Sequence, residues 1–176
     1  MSDRAAKRRE RRLEAARGYL LLEMPEHALR ELSGIEDPQE CWFEIEQLRG
    51  EALREQQDYD SALAAFQQAD KLQPNDITVL FGMAWCYKRT DRLDRAIDSM
   101  ERAYLTEPNE PVVLYNLACY FSLAGEKEQS LSWLGRAIRM EQSLRKLIPD
   151  EPDFDPLRDD PDFRSIAEIP VDRKAI

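Results

Sequence analysis

Three cysteines, one histidine and a run of aspartates are the residues of this chain best suited to chemistry. Cys41, Cys86 and Cys119 are far apart and odd in number, and none belongs to a CxxC pair. His27 is the only histidine, so the spacing offers neither a common zinc site nor a disulfide framework. Reduced thiols fit, and with them a cytoplasmic protein. Asp153-x-Asp155 has the opening spacing of a calcium loop. However, no glycine follows where such a loop must turn, no glutamate closes it, and prolines interrupt the acidic turns. Glycine-rich phosphate loop, nucleophile elbow and HExxH are all missing from the sequence. The expectation is no metal, no cofactor and no catalytic residue: this is not an enzyme.

A different chemistry is offered by aromatic and cationic residues. Phe81 and Trp85 stand four apart, so on a helix they share one face, with Lys88 and Arg89 at its edge. Such a surface suits a peptide that brings an apolar anchor and a carboxylate. Whether it exists depends on the elements that carry it.

Those elements are helices. The 176 residues are 43% apolar, with only six glycines and few runs of Val, Ile and Thr. Ala, Leu, Glu, Arg and Gln dominate, all good helix formers. A formal net charge of −10 argues against duplex nucleic acid as a partner. The basic start, from Arg4 to Arg17, alternates with glutamate and reads as a solvated helix face. MSDRAAKRRERR lacks the apolar core of a secretory signal, and no apolar run reaches the length of a membrane span.

The helices repeat. At a shift of 34, Leu80 falls on Leu114, Met83 on Leu117, Ala84 on Ala118, Tyr87 on Phe121 and Ala103 on Ala137. Two weaker copies lie upstream, where Ala84 maps onto Gly50 and Ala16, and Met100 onto Phe66 and Leu32. Each copy reads as a helix hairpin with apolar residues three and four apart. Small residues (Ala16, Gly50, Ala84, Ala118; then Ala28, Ala62, Ala96, Ser130) mark where its two helices approach closely. Met24-Pro25, Asp58-Tyr59, Thr90-Asp91 and Gly125 break each copy in two, and Pro74 and Pro108 stop the second helix.

Period, small residues and terminal prolines together resemble the tetratricopeptide-repeat (TPR) family. The resemblance is strongest in the last two copies; Arg12, Glu46 and Arg49 depart from the family's apolar preferences. It implies an all-α fold, a right-handed TPR α-solenoid of about four helix hairpins with a C-terminal capping segment. The expected organisation is a basic extension (1–8), four repeats (9–42, 43–76, 77–110 and 111–142), a capping helix with acidic Asp/Pro-rich turns (143–170) and a tail (171–176). In the cap, Asp155-Pro156 and Asp160-Pro161 read as N-caps followed by proline. Phe154, Leu157, Phe163 and Ile166 are expected to lie on the last hairpin, over Trp133 and Ile138.

In the family the first helix of each hairpin lines the concave side. The resemblance therefore assigns Phe81, Trp85, Lys88, Arg89, Tyr115 and Cys119 to a partner-binding groove. It also places His27 three repeats from Cys119, too far to act as its base. The family's dicarboxylate clamp for chaperone tails is absent, since Leu13, Arg17, Leu48, Thr78 and Gly82 fill its places. The expected function is a protein-protein adaptor whose partner is a peptide or helix of another protein. A TPR chaperone of the type III secretion kind and an RNA-associated role through the N-terminal arginines are the alternatives.

Overall fold

The computed structural model describes residues 3–36 and 39–167. The tail at 171–176 and the end of the expected capping segment, 168–170, lie outside the described residues. Nine α-helices follow one another among the described residues, with no strand. Along the chain run α1 (Asp3–Leu21) and α2 (Pro25–Ser33), α3 (Trp42–Glu55) and α4 (Tyr59–Leu72), α5 (Ile77–Arg89) and α6 (Leu93–Thr106), and α7 (Pro111–Leu123) and α8 (Lys127–Met140), the helices of each hairpin joined by a short turn. A short α9 (Pro161–Ala167) comes last. Arg4, Lys7 and Arg8 lie within α1, continuous with the first hairpin. Among the described residues no helix is long and apolar enough to cross a membrane.

Each hairpin turns in the same way. Glu23, Gln57, Asp91 and Gly125, 34 residues apart, take positive φ of 55°, 62°, 57° and 76°. The next amide reaches back to the last turn of the first helix: Met24 N to Tyr19 O at 2.9 Å, Asp58 N to Leu53 O at 3.0 Å, Arg92 N to Tyr87 O at 2.9 Å and Glu126 N to Phe121 O at 2.9 Å. This left-handed closure satisfies carbonyls that a helix end would otherwise orphan. Only the fourth turn uses glycine, the residue that adopts the conformation at no steric cost. Start signals are equally local. Asp58 Oδ1 accepts from Ser61 N at 3.3 Å and Asp76 Oδ1 from Val79 N at 3.0 Å, capping α4 and α5.

The chain divides into two compact units, Met1–Ser99 and Met100–Ile176. In the first, Leu13, Ala16 and Leu20 of α1 pack with Ala28 and Leu32 of α2 and with Ile45, Leu48 and Ala52 of α3. A second cluster joins Ala62, Leu63, Phe66 and Ala69 of α4 to Val79, Met83 and Cys86 of α5. Phe66 is fully buried, and its ring lies against backbone on both sides. A Cβ on Gly50 of α3 would come within 2.6 Å of Phe66 Cδ1, and one on Gly82 of α5 within 2.7 Å of Cε1. The polar departures from the repeat are paired. Arg12 meets Glu31 at 2.8 Å, and the buried Glu46 carboxylate accepts from Arg49 at 2.6 Å and Trp42 Nε1 at 3.1 Å.

In the second unit, α7 and α8 pack with Ser130 at the small-residue position, where its hydroxyl donates to Ala118 O at 2.8 Å. The segment after α8 differs from expectation. Residues 143–148 do not begin a helix but form 3-10 turns, Gln142–Lys146 and Ile148–Asp150, followed by a third at Pro152–Leu157. Pro149 and Pro152 remove amide donors in quick succession, so only short i to i+3 closures survive. Glu151, rather than Asp155, caps the third turn, while Asp160 caps α9 as expected, accepting from Asp162 N at 2.9 Å and Phe163 N at 3.1 Å.

Phe154 does not cover Trp133. Its ring stands edge-on to Tyr115 of α7 (centroids 5.6 Å apart, 89° between planes) and against Phe163 of α9 at 5.3 Å. Trp133 packs against Tyr104 instead, under the Arg136 guanidinium. Arg158 holds the turns together, donating to the carbonyls of Ile148, Pro149 and Glu151 at 2.8–3.0 Å. Lys127 at the start of α8 pairs with Asp160 at 2.6 Å and Asp162 at 2.9 Å.

Two substitutions test this packing. Gly82→Ala gains ~1 kcal/mol of helix propensity, but overpacking against Phe66 costs ~1–3 kcal/mol. Net destabilisation in denaturant unfolding is the expected result, and a stabilised variant would show that Phe66 yields. Phe154→Ala should cost ~3–5 kcal/mol, the loss typical of a buried ring. A melting temperature unchanged by that substitution would remove the cap from the folded core.

Candidate partner-binding surface

The aromatic and cationic residues of the third copy are carried by α5. Val79, Leu80, Gly82, Met83, Ala84 and Cys86 are buried, which turns Trp85 and Arg89 outward on the opposite face. Trp85 is 41% exposed, unusual for so large an apolar side chain. Lys88 Nζ sits 5.0 Å from the centre of its ring, and the Arg89 guanidinium lies 5.5 Å from the Tyr59 ring of α4. Both are cation–π contacts, which hold the positive charges over aromatic faces without removing them from water. Phe81, one turn before Trp85, is half-buried.

The neighbouring first helix is acidic. Glu44 of α3 pairs with Arg17 of α1, whereas Glu51 and Glu55 are held above the ordinary carboxylate range. Burial is the main cause for both. Nearby Glu55 and Asp76 add to it at Glu51, Glu23 adds to it at Glu55, and Arg54 opposes it at each. The first unit thus presents a carboxylate-bearing α3 beside a cationic and aromatic α5.

Tyr115 and Cys119 do not share this exposure. The sequence assigns them to an open groove, but both are buried beneath the turn Pro152–Leu157, with Phe154 on the Tyr115 ring. The chain fills the inner face of its own fourth copy. Burial pushes the Tyr115 hydroxyl well above its ordinary range, and the negative groups of Cys119, Glu151 and Asp153 push it further, against Arg158. The Cys86 thiol, also buried, is raised to about 11, which makes it a poor nucleophile at neutral pH. Gly82, which the sequence offered only as a missing clamp residue, is what lets α5 approach Phe66.

The basic start of α1 is largely spent inside its own unit. Arg9 pairs with Glu40, Arg12 with Glu31, Arg17 with Glu44, and Arg8 lies 3.7 Å from Glu36. An open cleft of about 870 Å³ between α1 and α2 is lined by Arg4, Lys7, Arg8, Arg11 and Arg12, with Glu31 and Glu36 among them.

Hairpins of this period, closure and small-residue packing are matched by a known family model: residues 53–118 fit the tetratricopeptide repeat. That matched segment spans the end of α3, all of α4 and α5, α6 and the first half of α7. The chain's fold class is the all-α TPR solenoid. Three solved structures are similar to this chain. A MamA double mutant from strain RS-1 is 21% identical, with 96% of this chain and 91% of that one covered at a TM-score of 0.75. MamA from residue 41 of Desulfovibrio magneticus RS-1 is 20% identical, with 96% of each chain covered and a TM-score of 0.69. YrrB, described as a TPR protein with an unusual peptide-binding site, is 20% identical over 84% of this chain and 75% of its own, with a TM-score of 0.68. At these identities the likeness carries the fold. No curated protein sequence matches the chain significantly.

The raised Glu51 sets a pH dependence. Its folded form holds the proton more firmly than the unfolded chain, whose reference value is 4.5. Its negative charge therefore costs stability at neutrality, and the cost fades as pH falls through the folded value. Glu51→Gln should be more stable than the parent at pH 7, with the gap closing towards pH ~4.5 in thermal melts. A gap that stays constant or widens on acidification would contradict the burial of this carboxylate.

Proposed function

We propose that this TPR protein is an adaptor that holds a peptide or helical segment of another protein against the first helices of its first unit. The observation that carries the reading is Trp85, a large ring left 41% exposed on α5 with Lys88 and Arg89 beside it. Exposed aromatic residues flanked by cations are typical interface anchors, because they bury area on binding and lose little conformational freedom. Phe81 extends the apolar surface, and Lys88 and Arg89 offer charge to a carboxylate on the partner. The fold supports the same reading, since YrrB is by its description a peptide-binding TPR protein. Tyr115 and Cys119, buried under the capping turn of the second unit, are left out of the proposed surface. The RNA reading draws less support, because at least four of the N-terminal arginines already face glutamates.

Comparing stability and capture for one variant tests the proposal. Trp85→Ala should cost well under the ~3–5 kcal/mol of a buried tryptophan truncation. It should nevertheless weaken partner binding by ~2 kcal/mol or more. Lys88→Glu should mainly slow association and change its salt dependence. A collapsed melting temperature for Trp85→Ala, or binding equal to the parent, would remove Trp85 as the anchor.

A further inference from the structure

The face of α1 turned away from Leu13, Ala16 and Leu20 carries two features that the Trp85 surface leaves unused. The first is charge. Arg4, Lys7, Arg8 and Arg11 stand at i, i+3, i+4 and i+7, all exposed, on one stripe of the helix. They open onto the cleft of about 870 Å³, where Arg12, Glu31 and Glu36 join them. Arg12 is held by Glu31, and Arg8 lies 3.7 Å from Glu36 with both side chains exposed, a weak pair. For the helix alone this stripe is unfavourable. Like charges four apart repel, and cations in the first turns oppose the helix dipole. An external anion relieves both.

The second feature is apolar. The same stripe runs on through Ala15 and Gly18 to Leu22, whose amide donates to Gly18 O at 3.2 Å in helical register. A Cβ on Gly18 would meet no atom within 4 Å, so this face is open. Leu22 is 68% exposed, Leu21 beside it 86% and Met24 36%. Leucines exposed singly are ordinary, but three large apolar side chains at one helix end mark an interaction surface. From Arg4 to Leu22 the stripe is ~27 Å long. Its positions include no carboxylate, and Glu14 lies at its edge.

We propose that this face of α1 docks on an anionic phospholipid bilayer. Arg4, Lys7, Arg8 and Arg11 meet headgroup phosphates, while Leu21, Leu22 and Met24 enter the acyl boundary. A bilayer is the occupant that offers anions and an apolar layer in one plane. A nucleic acid would use the cations but leave the leucines in water. The docking is peripheral, since among the described residues no helix is long and apolar enough to cross a membrane.

Co-sedimentation of the full-length chain with vesicles tests the proposal, comparing pure phosphatidylcholine with phosphatidylcholine and phosphatidylserine in equal parts. Binding should require phosphatidylserine and weaken as salt rises. Arg8→Gln with Arg11→Gln should weaken it roughly 25-fold, about 5-fold for each cation near the surface. Leu21→Ser with Leu22→Ser should also weaken it, although the charge is unchanged. Trp85→Ala should leave vesicle binding at the parent level, which separates this face from the adaptor surface. All these side chains are exposed, so circular dichroism should match the parent. No binding to the phosphatidylserine vesicles would overturn the proposal. So would sensitivity to the arginine variant without sensitivity to the leucine variant, or capture of polyuridylate in place of vesicles.

Discussion

The ring of Phe66 is what the first unit depends on. It projects from α4 into a gap that exists only because α3 and α5 each present a bare glycine to it, Gly50 on one side and Gly82 on the other. Two glycines inside helices are unfavourable by ~1 kcal/mol each in propensity. A fully buried phenylalanine is worth ~3–5 kcal/mol when truncated, so the close approach more than offsets the weakened helices. The same wedge sets which way α5 faces. With Gly82, Met83 and Cys86 turned inward, Trp85 and Arg89 turn outward. The exposed aromatic surface is thus a consequence of how one ring is packed, not a separate feature added to the helix.

Charge is handled by the same economy of position. The chain carries 35 acidic and 25 basic residues, yet several departures from apolar repeat positions are internally matched. Arg12 reaches Glu31, and Glu46 gathers Arg49 and the Trp42 indole. In the cap, Asp160 serves both as the N-cap of α9 and as a partner of Lys127. The lysine is raised and the aspartate lowered, each chiefly by the hydrogen bond they share. The pair is only partly buried and contributes orientation more than energy. It brings the start of α9 to the start of α8, where Phe163 can reach Phe154.

The fold was legible because its signals are local and recur. A 34-residue shift aligned the buried alanines, Asp160-Pro161 announced a helix start, and the breaks between helices fell where expected. The turn geometry was hidden. Left-handed residues were readable at Gly125 but not at Glu23, Gln57 or Asp91, because nothing in those residue types demands positive φ. The candidate surface was half legible. Helical spacing put Trp85 and Lys88 on one face, which needs only the helix itself. Tyr115 and Cys119 obey the same spacing, and their burial arises from a segment more than thirty residues later in the sequence. Periodicity within a helix cannot announce what a distant turn will lie upon it.

That turn bears on where a partner can act. Phe154 occupies the inner face of the fourth copy as part of the same chain, so its effective concentration there is set by a short tether rather than by diffusion. A partner seeking Tyr115 would first have to strip away Phe154 and the edge-on contact that it makes. No comparable segment of its own unit is described over Trp85, which keeps 41% of its surface. Occupancy by the chain itself therefore sorts two faces of identical helical register into one that is closed and one that remains available. Selection of the site comes from what the cap covers as much as from what α5 displays.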